Sequence, residues 1–131
     1  MGVCEGLGFG DNAKGSIITL GLSEMGAIAR TFGAKRSTCF GLAGVGDLVA
    51  TCFSKHSRNR FVGEMLAKGK SMEEISREMH GMVAEGVRNT KTLHQLCTQR
   101  RISTPLITQA YSVLYGGVDL KKGIDQLLML V

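Results

Sequence analysis

The 131 residues carry 16 Lys and Arg against 11 Asp and Glu, a formal net charge of +5, with 44% hydrophobic and 21% charged residues. A chain of this length folds as one domain with a core of its own, and the composition excludes a disordered or collagen-like polypeptide. No run of about 18 apolar residues is available to span a bilayer, and Met1 to Gly6 lacks the basic and apolar regions of a signal peptide, so a cytoplasmic protein is expected.

Gly6-Leu7-Gly8-Phe9-Gly10 reads as a glycine-rich turn, and Asp11 and Asn12 are good N-cap residues for a following helix. Ile18, Leu22, Met25, Ala29 and Phe32 recur at spacings of three and four, which predicts a helix from about Ala13 to Phe32 closed by Gly33. Gly15, Gly21 and Gly26 lie inside it. Each costs about 1 kcal/mol relative to Ala, so close approach of another helix or a ligand is expected there.

The cluster Gly41-Leu42-Ala43-Gly44-Val45-Gly46 leads into a short helix beginning near Asp47. Ser54-Lys55-His56-Ser57-Arg58-Asn59-Arg60 reads as a polar loop, after which Phe61, Val62, Met65 and Leu66 mark a helix ending at Gly69. Ser71-Met72-Glu73-Glu74 fits a capping box, so another short helix starts there and stops before Gly81. Val83, Val87, Thr90, Leu93 and Cys97 form a helical stripe reaching about Arg100. Thr104-Pro105 is a cap and first-turn pair for a helix running to Gly116-Gly117, and Leu120 to Leu130 closes the chain as a last helix. No alternating strand pattern occurs, so the fold class is all-α with six or seven helices.

The four cysteines, Cys4, Cys39, Cys52 and Cys97, are widely spaced, with no C-x-x-C pair and no His at ligand spacing. They read as reduced, mostly buried thiols, and no metal site is expected. The positive balance favours an anionic partner, which leaves nucleic acid, nucleotide and sugar phosphate open. Gly8-Phe9-Gly10-Asp11-Asn12-Ala13 satisfies G-x-G-x-x-[GA], but that fingerprint requires a preceding strand and only seven residues stand before Gly8. Ser57-Arg58-Asn59 offers a hydroxyl, an Arg fork and an amide at short spacing near a helix start, donors suited to a phosphate monoester; the same run also reads as a solvated basic loop. Asp47 at a helix start is equally a carboxylate complementing the helix dipole.

Four blocks in order carry a resemblance: Gly6-Leu7-Gly8-Phe9-Gly10-Asp11-Asn12-Ala13-Lys14, the segment from Gly41 to Cys52, Ser57-Arg58-Asn59-Arg60, and Gly81-Met82-Val83-Ala84-Glu85-Gly86-Val87-Arg88. Together they resemble the successive C-terminal signatures of the NAD(P)-dependent sn-glycerol-3-phosphate dehydrogenases, and the likeness extends to about Tyr115. It implies that residues 1–131 are a helical C-terminal substrate domain, like that of the 6-phosphogluconate dehydrogenase-type enzymes. The family activity is hydride transfer between NAD(P)H and dihydroxyacetone phosphate or sn-glycerol 3-phosphate, serving glycerol-3-phosphate metabolism and phospholipid biosynthesis in the cytoplasm.

By the same resemblance, Asp47 lies beside the catalytic lysine and the reacting oxygen, and Thr51 hydrogen-bonds the substrate. Ser57, Arg58 and Asn59 hold the phosphate, while Arg58, Val83 and Glu85 touch the cofactor, NAD or NADP, which is bound mainly by a Rossmann domain. In the family that domain and the catalytic lysine precede the segment beginning here at Gly2; Lys14 does not match the catalytic position, and Glu5 stands where Asp is frequent. The 131-residue chain alone is therefore expected to be inactive, with a Rossmann domain supplied in cis or in trans. The face such a domain would cover predicts self-association. Two alternatives from other classes are a non-catalytic helical module binding a phosphometabolite and a nucleic-acid-binding helical domain. The 5% aromatic content and the lack of a concentrated basic face weigh against the second.

Overall fold

Short polar side chains start several of the helices. In a computed structural model, which describes Met1–Leu130, the Ser57 hydroxyl accepts from the Arg60 amide at 3.2 Å, and Asp119 accepts from the Lys122 amide at 3.0 Å. Ser71 and Glu74 form the complete reciprocal capping box. Gly33 and Gly69 end two helices at φ +79° and +80°, a left-handed conformation that side chains with a Cβ resist.

These signals bound α1 (Gly2–Gly6), α2 (Asp11–Thr31), α3 (Arg36–Cys39), α4 (Asp47–Phe53), α5 (Arg58–Ala67), α6 (Met72–Glu78), α7 (Glu85–Arg100), α8 (Pro105–Tyr115) and α9 (Leu120–Leu128). A π-helical turn, Leu42–Gly46, runs directly into α4. No strand occurs among the described residues, so the all-α expectation holds.

Two apolar clusters organise the helices. Val62 and Met65 of α5, Ile75 of α6, Met79 and Ala84 form one, and Ile75 is completely buried. Burying one such side chain contributes about 1.5 to 3 kcal/mol. The other joins Cys4 of α1, Ile17 of α2 and Leu127 of α9, with Phe9, Leu20 and Leu106 packed around them.

Between the clusters α1 and α5 cross nearly backbone to backbone. Gly2 and Gly6, one turn apart, face Gly63 and Ala67, also one turn apart; a Cβ on Gly63 would lie 2.8 Å from the Val3 nitrogen, and one on Gly2 would collide with the Arg60 carbonyl. Small residues at this spacing are what allow two helix axes to approach so closely.

The structure departs from the sequence pattern at several places. The helix expected from Ala13 starts at Asp11 with Gly10 at its N-cap, so Asp11 and Asn12 are first-turn residues and not caps. Gly15 and Gly26 face open space, and Gly21 meets only the Leu106 side chain at 3.4 Å, so close backbone packing is not their reason. The described residues hold nine α-helices, more than the six or seven predicted, because α1 and α3 are too short to show a periodic stripe. Arg58 to Arg60 belong to α5, not to the loop before it, and α7 begins at Glu85, two residues after Val83. The last helix ends at Leu128. Of the four free thiols, only Cys4 and Cys97 are buried; Cys39 and Cys52 are half-buried.

Candidate functional site

Ser57, Arg58 and Asn59 stand at the N-terminus of α5, where free backbone N–H groups and the helix dipole add positive character. Arg58 and Asn59 are exposed, and none of the ion pairs among the described residues uses Lys55, Arg58 or Arg88. The hydroxyl of Ser57 accepts from its own helix and keeps its O–H to donate to an anion.

Asn59 connects this turn to a distant segment. Its Oδ1 accepts from the Gly86 amide at 3.0 Å across 27 residues, which leaves its Nδ2 hydrogens free to donate. A Cβ at position 86 would come within 2.7 Å of Asn59 Oδ1, so a side chain there would push the Asn59 amide aside and break the clasp. The first turn of α7 is held from the other side by the Tyr115 hydroxyl, which donates to the Val87 carbonyl at 2.8 Å.

Ala84, the extended N-cap of α7, is buried in the first apolar cluster. Its neighbours Val83 and Glu85 are both exposed. The clasp at Asn59 therefore ties the Ser57–Asn59 turn to Gly86, the residue that follows Glu85, across 27 positions of the chain.

Asp47 and Thr51 lie one turn apart on α4, hence on one face of that helix, and both are exposed. Asp47 pairs with no described cation, and no hydrogen bond joins Asp47 or Thr51 directly to the Ser57–Asn59 turn. The preceding π-helical turn packs Gly44 against the Cys39 carbonyl; π-turns of this kind are frequent at functional sites. Cys52, between Thr51 and Phe53, has its thiol pushed up by burial, with the chain's amino terminus pulling back, so it is not a thiolate nucleophile at neutral pH.

A largely apolar cavity of about 350 Å³ adjoins the clasp, with Asn59, Gly86 and Thr90 in its wall beside Val3, Leu114 and Ile124. Asp47, Thr51 and Arg58 do not line it. Sequence reasoning named all the polar residues above but assigned no part to Gly86, Tyr115 or Arg60. Gly86 and Arg60 stand inside the quoted blocks, whereas nothing in the sequence links Tyr115 to Val87.

A family profile described as NAD-dependent glycerol-3-phosphate dehydrogenase C-terminus matches residues 1–125. The chain belongs to this family. Among its relatives, the glycerol-3-phosphate dehydrogenase [NAD(P)+] of Desulfitobacterium hafniense is 44% identical over 98% of the chain and 36% of the relative. That of Geobacillus kaustophilus is 45% identical over 97% of the chain and 37% of the relative. The crystal structure of glycerol-3-phosphate dehydrogenase from Coxiella burnetii superimposes with a TM-score of 0.93 at 39% identity, covering 97% of this chain and 39% of that one. The chain thus spans little more than a third of the length of the dehydrogenases it matches.

Proposed function

We propose that the 131 residues form the substrate-binding helical domain of an NAD(P)-dependent glycerol-3-phosphate dehydrogenase, acting in the cytoplasm on sn-glycerol 3-phosphate and dihydroxyacetone phosphate. The observation that carries this reading is the N-terminal turn of α5, which presents an unpaired guanidinium, an amide with free hydrogens and a helix N-terminus together and is tied to α7 by the Asn59–Gly86 hydrogen bond. A phosphate dianion matches that donor set: Arg58 supplies a bidentate fork, and Asn59 Nδ2, Ser57 Oγ and the α5 backbone supply neutral donors. Neutralisation in this way needs no metal ion.

Asp47 and Thr51 serve the other end of the substrate. A carboxylate at Asp47 orients and tunes a lysine acting as proton acceptor, and Thr51 hydrogen-bonds the glycerol hydroxyls. Lys14 does not serve as that lysine, because the hydrogen bond to Glu5 at 2.9 Å raises its pKa and keeps it protonated; the proton acceptor comes from outside these residues.

The cofactor fits these residues only at one edge. Arg58, Val83 and Glu85 offer a cation, an apolar surface and an acceptor for ribose hydroxyls, but no described strand-turn-helix forms a pyrophosphate cradle. NAD or NADP, held mainly by a Rossmann domain in cis or in trans, supplies the hydride. This chain's part is to bind the phosphate and to hold Asp47 and Thr51 beside the reacting carbon.

Calorimetry of glycerol 3-phosphate binding to the chain tests the reading. Binding that Arg58→Ala weakens by about 1.5 to 3 kcal/mol, the worth of a hydrogen bond to a charged group, supports the cradle. The same chain should oxidise no NADH with dihydroxyacetone phosphate, and turnover by it alone would refute the division of labour.

A further inference from the structure

Unlike the exposed Arg58 and Asn59, Arg60 turns away from solvent, with its side chain only 16% exposed. Each part of its guanidinium has a separate task. Nη1 donates to the Phe53 carbonyl at 2.9 Å, Nε donates to Glu64 Oε1 at 2.8 Å, and Nη2 lies 4.0 Å from Glu5 Oε1. Its backbone amide meanwhile closes the Ser57 cap.

Phe53 is the last residue of α4 and Glu64 lies one turn further along α5, so this one planar group ties the end of α4 to the body of α5 and to α1. The Phe53 carbonyl is one of the terminal acceptors that α4 cannot satisfy internally. The connecting turn closes through Ser57 N donating to the Ser54 carbonyl at 3.2 Å and His56 N donating to Ser54 Oγ at 3.2 Å. Elsewhere α4 rests mainly on the π-helical turn, and no buried residue belongs to α4 itself. Its placement relative to α5 therefore depends on this turn and on the guanidinium beneath it.

We propose that Arg60 is a positioning residue that sets the spacing between the α4 pair, Asp47 and Thr51, and the Ser57-Arg58-Asn59 phosphate turn. The inference rests on the substrate reading given above. Arg60 touches no ligand; it makes the two halves of the site span one molecule. A lysine at this position supplies a point cation and cannot reproduce the fork that holds Phe53 and Glu64 together. Loss of Arg60 leaves no buried charge stranded, because Glu5 keeps Lys14 and Glu64 is partly exposed.

The test compares wild type, Arg60→Lys and Arg60→Gln for binding of two probes, glycerol 3-phosphate and inorganic phosphate, alongside amide hydrogen exchange at Ser54 and Ser57. Inorganic phosphate needs only the α5 turn, whereas glycerol 3-phosphate needs both helices. In both variants the preference for glycerol 3-phosphate over inorganic phosphate should fall roughly fivefold or more, with phosphate affinity held, since groups in one network couple by that order. Exchange at Ser54 and Ser57 should speed up while that at Ile75 does not. Equal loss of both ligands, or an unchanged preference, overturns the proposal. So does unchanged exchange at Ser54 and Ser57, which reads the strap without any ligand. A wild-type chain that binds neither probe removes the substrate reading instead, and the exchange measurement then decides on Arg60 separately.

Discussion

Glu24 caps a helix to which it does not belong. Its carboxylate, buried in the middle of α2, accepts from the backbone amide of Leu106 at 2.5 Å and from that of Ile107 at 3.2 Å, so the first turn of α8 is closed from 82 residues away. Thr104, the residue expected to cap α8, makes no such bond. Removing the carboxylate strands buried N–H donors: Glu24→Ala should cost about 1 to 3 kcal/mol in urea unfolding, and Glu24→Gln, whose amide oxygen replaces one acceptor, less.

Burial holds the Glu24 carboxyl above the ordinary glutamate value, while the Leu106 and Ile107 amides pull it back. Because the folded value lies above the unfolded one, the folded state takes up the proton first. On this group's account stability rises as pH falls through the folded value and levels off below the unfolded one. The stability difference between wild type and Glu24→Gln should therefore shift in favour of wild type as pH falls from neutrality to just below the ordinary glutamate value, as urea melts at the two ends would show.

Glu5 behaves in the opposite sense. The hydrogen bond from Lys14 and the Lys14 charge hold its carboxyl below the usual range, with Arg60 adding to the effect. Its stabilisation is present above the unfolded value and is lost as pH falls through the folded one. Glu5→Gln should lower the neutral plateau of a stability-against-pH curve and so flatten its acid limb, with little change at the acid end.

Two glycine substitutions should move stability in opposite directions. Gly63→Ala puts a Cβ 2.8 Å from the Val3 nitrogen, a backbone atom that cannot step aside, and overpacking of this kind costs about 1 to 3 kcal/mol. Gly15→Ala meets nothing within 4 Å and should gain about 0.5 to 1 kcal/mol. Paired thermal melts would read both.

Asn59→Asp separates architecture from binding. The aspartate retains an acceptor for the Gly86 amide and suits a helix N-terminus, so Tm should hold. It replaces the Nδ2 donor with a negative charge, and affinity for glycerol 3-phosphate should drop by at least tenfold in calorimetry. A variant that binds as well as wild type would remove Asn59 from the phosphate turn.

Phe32, Phe40, Leu42 and Phe53 are exposed around α3, the π-helical turn and α4, and Leu42 is 91% exposed. Exposed apolar groups concentrated in this way favour association. Sedimentation should show dimers or larger species whose population falls in Leu42→Glu.

The local sequence determined much of this protein. Helix starts at Ser71 and Leu120, stops at Gly33 and Gly69, and the apolar stripes of α7 and α8 are short-range signals, legible because a cap or a turn involves only a few neighbouring residues, whereas the start of α5 at Arg58 and the packed face of α2, Ile17 and Leu20, were not. The residues of the candidate site were legible through the order of their motifs, not through any one of them. What only the tertiary structure decided is long-range. The Glu24 cap on α8, the Asn59 clasp on Gly86, the Arg60 strap on Phe53 and the α1–α5 crossing at Gly2 and Gly63 each depend on the packed arrangement of separate elements. Such partners leave no periodic trace in the chain, because the geometry that pairs them exists only once the helices have packed.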